Sequence, residues 1–294
     1  MQPRPLEGIR VVDYSHFLAG PYVGRCLAAL GAEVIKVERP GSGDAGRQHA
    51  TVLDDQQSAY FLQLNMGKRG VSVDMKDPRG KAFMQRLCDS ADVFIENYRP
   101  GALDKLGLGY AALSKRNPGL VYCSISAYGH TGPDAHRAGF GLIAEAKSGI
   151  MQMIGNPGEP PPLMRISLGD MYTGIHAVAA INAALIGRMK SGRGQHIDMA
   201  LYDTLVSMHE YACSATPCKA WFPSKRVTTC RHRLCTACSA RPMAISSSRR
   251  KSTSRGSGSA RSSRRTAVLL GSAPMRDSTA STGATRIARP SLRS

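Results

Sequence analysis

The chain has 294 residues, eight cysteines and a formal net charge of +18 at pH 7. Residues 1–213 carry 22 Lys+Arg against 20 Asp+Glu, whereas residues 214–294 carry 17 against the single acid Asp277, so the basic excess belongs to the tail and the first part has the balance of one large globular domain or most of one. Cys26, Cys88 and Cys123 lie within apolar segments, no signal-peptide pattern opens the chain, and the longest small-and-apolar run (Ile175–Gly187, 13 residues) contains His176 and Asn182; together these argue against a disulfide framework or a membrane span and predict a cytoplasmic protein without a membrane partner.

Short β-rich runs alternate with helical patterns from the start. "IRVVDYS" predicts a strand, "GPYVGRCLAALGA" a helix and "EVIKVE" a second strand. "GVSVDM" predicts a third strand, followed by the helix "DPRGKAFMQRLCDSA" with Pro78 in its first turn. "DVFIENY", the helix "GALDKLGLGYAALSKR" and the strand "GLVYCSISAYG" complete the series. This alternation predicts an α/β fold, an open doubly wound parallel sheet that binds ligands outside the carboxyl ends of its strands. The loops "RPGSGDAGR" (Arg39–Arg47), "NMGKRG" (Asn65–Gly70) and "ENYRPGAL" (Glu96–Leu103) combine Gly or Pro with Lys or Arg. Placed on that edge, their N–H groups and cations suit an anionic phosphate ligand. The first strand-to-helix turn, "SHFLAGPYVG", lacks G-x-G-x-x-G, which weighs against a nicotinamide dinucleotide.

Further along, "ISLGDMYTGIHAVAAINAALIGRMKSGRGQHIDMAL" puts Asp170 directly before a helix of small and apolar residues. An Asp there caps the helix as readily as it serves a nucleophile with N–H groups near an oxyanion, and position alone leaves both open.

Five segments taken in order are more specific: "GIRVVDYSHFLAGPYVGRCLAALGAEVIKVERPGSGD", "NMGKRGVSVDMKDPRGK", "ADVFIENYRPGALDKLGLGYAAL", "SISAYGHTGPDAHRAGFGLIAEAKSG" and "SLGDMYTGIHAVAAINAALIGRMKSGRGQHIDMALYD". Over about residues 8–213 the chain resembles the class III CoA-transferases, the family of formyl-CoA transferase and the carnitine and bile-acid CoA-transferases. The resemblance implies a Rossmann-like large domain in which Asp170 is the nucleophile. It also implies two acyl substitutions through an aspartyl anhydride and an aspartyl-CoA thioester, with an acyl-CoA donor and a carboxylic acid acceptor. No metal and no tightly bound cofactor is implied, since coenzyme A enters as a substrate thioester. The loops around His16, Arg39, Lys68, Arg69, Asn97, Tyr98, Arg99 and Lys105 are then expected to hold CoA. Family members are interlocked homodimers. The α-methylacyl-CoA racemases share the fold but carry a His-Asp pair where this chain has Phe140 and Gly141, so transferase is favoured over racemase.

The tail, residues 214–294, has 17 Ser and almost no aromatics, and is expected to be disordered. It reads as a basic arm that binds nucleic acid non-specifically on an inactive CoA-binding fold, as a zinc knuckle at "CRHRLCTAC" with an irregular spacing, or as the family's gene translated out of frame. The last reading has a test in the letters. Met243 is always ATG and Ala244 begins GC, so the shifted codon at their junction encodes Gly. TC-type codons for Ser246, Ser247 and Ser248 force three shifted codons with middle T, hence Phe, Leu, Ile or Val. With permitted third bases, Thr228–Thr253 becomes a Pro-rich connector, a strand, a D-G turn and another strand. The favoured reading is a family large domain (1–213, incomplete) fused to an out-of-frame, non-native tail, and inactive in this form.

Overall fold

The computed structural model describes residues 2–209 except 51, 54–56 and 157. The readings made on residues 210–294, among them the Cys230–Cys238 cluster and the out-of-frame hairpin, lie outside the described residues. In chain order the elements are β1 (Arg10–Tyr14), α1 (Ala19–Ala29), β2 (Glu33–Glu38), α2 (Ala59–Asn65), β3 (Arg69–Ser72), α3 (Pro78–Asp89) and β4 (Val93–Glu96). There follow α4 (Tyr110–Arg116), β5 (Val121–Ser126), α5 (Gly141–Ser148), α6 (Ile150–Ile154), α7 (Leu168–Ser191), β6 (His196–Ala200) and α8 (Leu201–Ser207).

The six strands form one sheet in the order β3-β2-β1-β4-β5-β6, and every neighbouring pair is parallel. The chain builds outward from β1 through β2 to β3, returns to the other side of β1 as β4, and builds outward again. Its topological switch point therefore lies between the carboxyl ends of β1 and β4. Every residue of β4 and β5 is buried, as expected for strands covered on both faces. On one face Val93, Ile95, Val121 and Cys123 pack with Val23 and Leu27 of α1 and Ala177 and Ile181 of α7. On the other, Val12, Phe94 and Tyr122 pack with Met84 of α3 and Leu113 of α4. Each large apolar side chain removed from water in these two layers contributes about 1.5–3 kcal/mol.

Local chemistry sets the ends. Asp77 accepts a hydrogen bond from the Arg79 N–H and Pro78 occupies the first turn of α3, as the sequence predicts. The stretch expected as one helix over "GALDKLGLGYAALSKR" is instead a single 3-10 turn at Asp104–Leu106 followed by α4. Gly107 breaks it with φ 72°, a left-handed conformation that turns the fully buried Leu108 into the core.

A second correction concerns the basic loops. A parallel sheet places whatever precedes a strand at its amino edge, so "NMGKRG", leading into β3, is not on the carboxyl edge with the other two loops. Arg69 pairs with Glu33 at the start of β2 (2.9 Å), its side chain 79% exposed.

Candidate active site

At the switch point β1 and β4 are tied together by a reciprocal amide clamp. The His16 N–H donates to Asn97 Oδ1 at 2.8 Å, and Asn97 Nδ2 donates to the His16 carbonyl at 2.7 Å. The Tyr98 ring packs on the His16 ring with centroids 4.8 Å apart and on the Tyr14 ring at 5.3 Å. Burial pushes the His16 imidazole below the ordinary histidine range, with Lys36 and Arg39 adding to the effect against Asp44.

Beneath the clamp lies a buried charge network. Asp13, Lys36, Lys68 and Asp44 have nearly inaccessible side chains. Lys68 Nζ donates to Asp13 Oδ2 (2.7 Å), the Pro21 carbonyl (2.7 Å) and Asn65 Oδ1 (2.8 Å), which uses all three protons of an ammonium. Lys36 meets Asp44 Oδ2 at 2.9 Å. Burial alone would raise the Asp13 carboxyl, but Lys36 and Lys68 outweigh it and hold it well below the usual carboxylate range. Asp44 is likewise held low: burial is opposed by Lys36 and by hydrogen bonds from the backbone. Its Oδ1 accepts from the N–H groups of Phe17 (3.0 Å) and Gly46 (2.8 Å). The network thereby joins the turn after β1 to the loop after β2.

Asp170 reaches this edge from α7. The helix begins at Leu168 after Ser167, so Asp170 stands inside the first turn, which corrects its expected place directly before the helix. Gly174, one turn further on, packs against α1: a Cβ there would meet Tyr22 Cδ1 at 2.7 Å and the Ala19 carbonyl oxygen at 3.6 Å. On the other side Gly141, at the start of α5, makes room for the carboxylate, since its Cβ would fall 2.2 Å from Asp170 Oδ2. Glu145, one turn along α5 and 1% exposed, accepts the Gly169 N–H at 2.8 Å. That N–H is thus spent on a carboxylate and is not free for an oxyanion. Burial, and then the negative charge of Glu145, push the Asp170 carboxyl up to about 6. The Tyr60 hydroxyl is raised as well, by burial first and by Asp170 second.

Of the residues named from the sequence, His16, Asn97, Tyr98 and Arg39 gather on the carboxyl edge at and beside the switch point. Arg39 is exposed, with one hydrogen bond at 3.3 Å to the Gly43 carbonyl. Lys68 is committed to the buried network, and Arg69 stands at the amino edge. Arg99 and Lys105 are exposed on the loop after β4. Arg99 lines a separate cleft of ≈ 230 Å³ with Glu96, Tyr110, Ser124, His130 and His196. Sequence reasoning missed Glu145, Gly141, Tyr60 and Asp44, whose places beside Asp170 and Phe17 depend on contacts between distant segments.

An Asp with a raised pKa beside the switch point of a doubly wound sheet defines a class of α/β protein with a buried carboxylate at its ligand edge. The family model "CoA-transferase family III" matches residues 6–250, and the chain belongs to that family. The match runs past residue 213, beyond the span of the motifs that carry the resemblance. The chain is 44% identical over 204 residues to a mouse protein named succinyl-CoA:glutarate CoA-transferase, covering 69% of this chain and 47% of that one. It is 45% identical over 205 residues to the succinate--glutarate CoA-transferase of Agrobacterium fabrum, covering 68% and 51%. Among solved structures, a CAIB/BAIF family protein from Brucella suis superposes with a TM-score of 0.72 at 41% identity, over 76% of this chain and 60% of that one. The chain spans about half the length of the curated relatives it matches.

Proposed function

We propose that this chain carries the CoA-binding edge and the nucleophile of an acyl-CoA:carboxylate CoA-transferase, with Asp170 as the nucleophile. The observation that supports it most is the partly buried Asp170 carboxylate, raised to about 6 and positioned at the end of the sheet where ligands of this fold bind. A desolvated carboxylate that is still ionised at neutral pH is a better nucleophile than a solvated one. In this reading Asp170 attacks the thioester carbonyl of the donor, giving a mixed anhydride and CoA thiolate. The thiolate attacks the aspartyl carbonyl, the donor acid leaves, and CoA is held as an aspartyl thioester. The acceptor carboxylate attacks that thioester and forms a second anhydride. The thiolate then takes the acceptor acyl group and frees Asp170. Every bond made is balanced by one broken, so no redox partner enters.

Arg39, with Arg99 and Lys105 on the loop after β4, is proposed to meet the phosphates of CoA, while His16, Asn97 and Tyr98 form the floor beneath it. The racemase alternative lacks support, because Phe140 and Gly141 stand where proton transfer would need a His-Asp pair. In the protein with the proposed frame restored, incubation with acyl-CoA followed by hydroxylamine is expected to leave a hydroxamate on Asp170, found by peptide mass spectrometry, and Asp170→Ala to abolish both label and transfer. Transfer that survives in Asp170→Ala would reduce the residue to a carboxylate in the first turn of α7, worth about 0.3–1 kcal/mol of stability.

A further inference from the structure

We propose that the acyl group is held by an apolar subsite built on Phe17 and Phe140, and that this subsite selects acyl groups with an uncharged end over those bearing a distal carboxylate. The inference rests on the CoA reading above.

Phe17 has φ 60°, and Ala50 is the other non-glycine with positive φ among the described residues. A bulky residue in the left-handed region is strained and needs surrounding contacts to hold it there. The holding contact is the Phe17 N–H bond to Asp44 Oδ1, with Asp44 itself fixed by Lys36. The turn so held sets the Phe17 ring edge-on to the Phe140 ring, with centroids 6.1 Å apart and planes at 79°. Phe140 is 68% exposed and immediately precedes Gly141, the residue packed on the Asp170 carboxylate. Two rings, one strained and one open to solvent, therefore flank the approach to the nucleophile.

The charges nearby point the same way. Lys36 and Lys68 are buried and bonded within the network, and Arg47 is clasped by both oxygens of Glu38. Arg39 is the cation assigned above to a CoA phosphate. Glu145 adds a second carboxyl beside Asp170. A distal carboxylate entering between the two rings would lose water against apolar faces, whereas a methyl end would meet two aromatic rings.

The test uses three unreactive ligands with the full 294-residue chain: free CoA, S-pentyl-CoA and S-(4-carboxybutyl)-CoA. The last two differ only in a terminal methyl against a carboxylate. Calorimetric titration is expected to show S-pentyl-CoA binding about tenfold or more tighter than its carboxylated counterpart. Phe140→Arg, at an exposed position that tolerates the change, is expected to bring the ratio to one or invert it. Phe17→Asn, a residue that accepts positive φ, is expected to lower the ratio. Equal affinity for the two thioethers, or a ratio unmoved by Phe140→Arg, overturns the subsite. Failure of free CoA to bind overturns the CoA reading, and the subsite with it.

Discussion

Two carboxyl groups from different helices meet where α5 touches the first turn of α7, and their closeness has a measurable consequence. Asp170 is raised to about 6 by burial and then by Glu145, so it takes up a proton as pH falls through that value and, in the proposed reaction, loses its nucleophilic form. The rate of aspartyl labelling by acyl-CoA is expected to show an acid limb near pH 6. Glu145→Gln keeps an oxygen for the Gly169 N–H but removes the like charge. The limb should then move down, by up to about one pH unit. A limb that stays in place would show that Glu145 is only a cap for α7. None of this pairing is visible in the letters, because Glu145 and Asp170 lie 25 positions apart in the chain and each looks like an ordinary helix residue. Asp170 itself was legible through its Gly-Asp neighbourhood before a run of small residues.

At the scale of elements, β1 and β2 are held together beside the switch point by charge as well as by their ladder. Asp13 of β1 lies between Lys36 of β2 and Lys68 before β3. Its carboxyl is held far below the value near 3.9 of an unfolded chain, so the stabilisation is fully present above about pH 4 and is lost as pH falls toward the folded value. Asp13→Asn leaves two buried ammonium groups short of a counter-charge and is expected to cost about 3–5 kcal/mol at neutral pH. Urea denaturation measures it, and a loss under 1 kcal/mol would mean that Asp44 alone neutralises the cluster. The strands themselves were readable, because "VVDY", "EVIKVE" and "DVFIE" are short runs rich in β-branched and aromatic residues. The helix expected over residues 101–116 is broken at Gly107, whose left-handed φ interrupts the backbone without interrupting the apolar spacing that continues across it.

For the whole molecule, the chain divides by composition into a balanced part and a basic tail, and the out-of-frame reading of the tail is a proposal about the gene. Restoring one base near codons 213–219 is expected to open a longer frame that continues the family's chain with Y-G-V-F and D-G-x-L-V-like stretches. Nucleotide sequencing from codon 205 to the stop decides it; stop codons within the first few dozen triplets of the neighbouring frame would end the idea. The family model's match to residue 250 reaches into this region, which makes the nucleotide sequence the decisive observation.

The sequence by itself determined the class of fold, because a parallel sheet covered on both faces needs alternating apolar strands and helices, and that alternation is local. It also determined the family and the candidate nucleophile, since long ordered motifs survive in the letters. Tertiary structure alone decided which polar loops share an edge. Strand direction sent "NMGKRG" to the amino end and buried Lys68 among three protein groups, although its loop composition alone suits a ligand. Tertiary structure also decided what surrounds Asp170. Phe140, Gly141 and Glu145 at the start of α5, Tyr60 of α2 and Phe17 after β1 come from three separate segments, and only the closing of the sheet and the packing of α5 and α7 bring them to one carboxylate, because a pKa and a subsite are properties of neighbours in space.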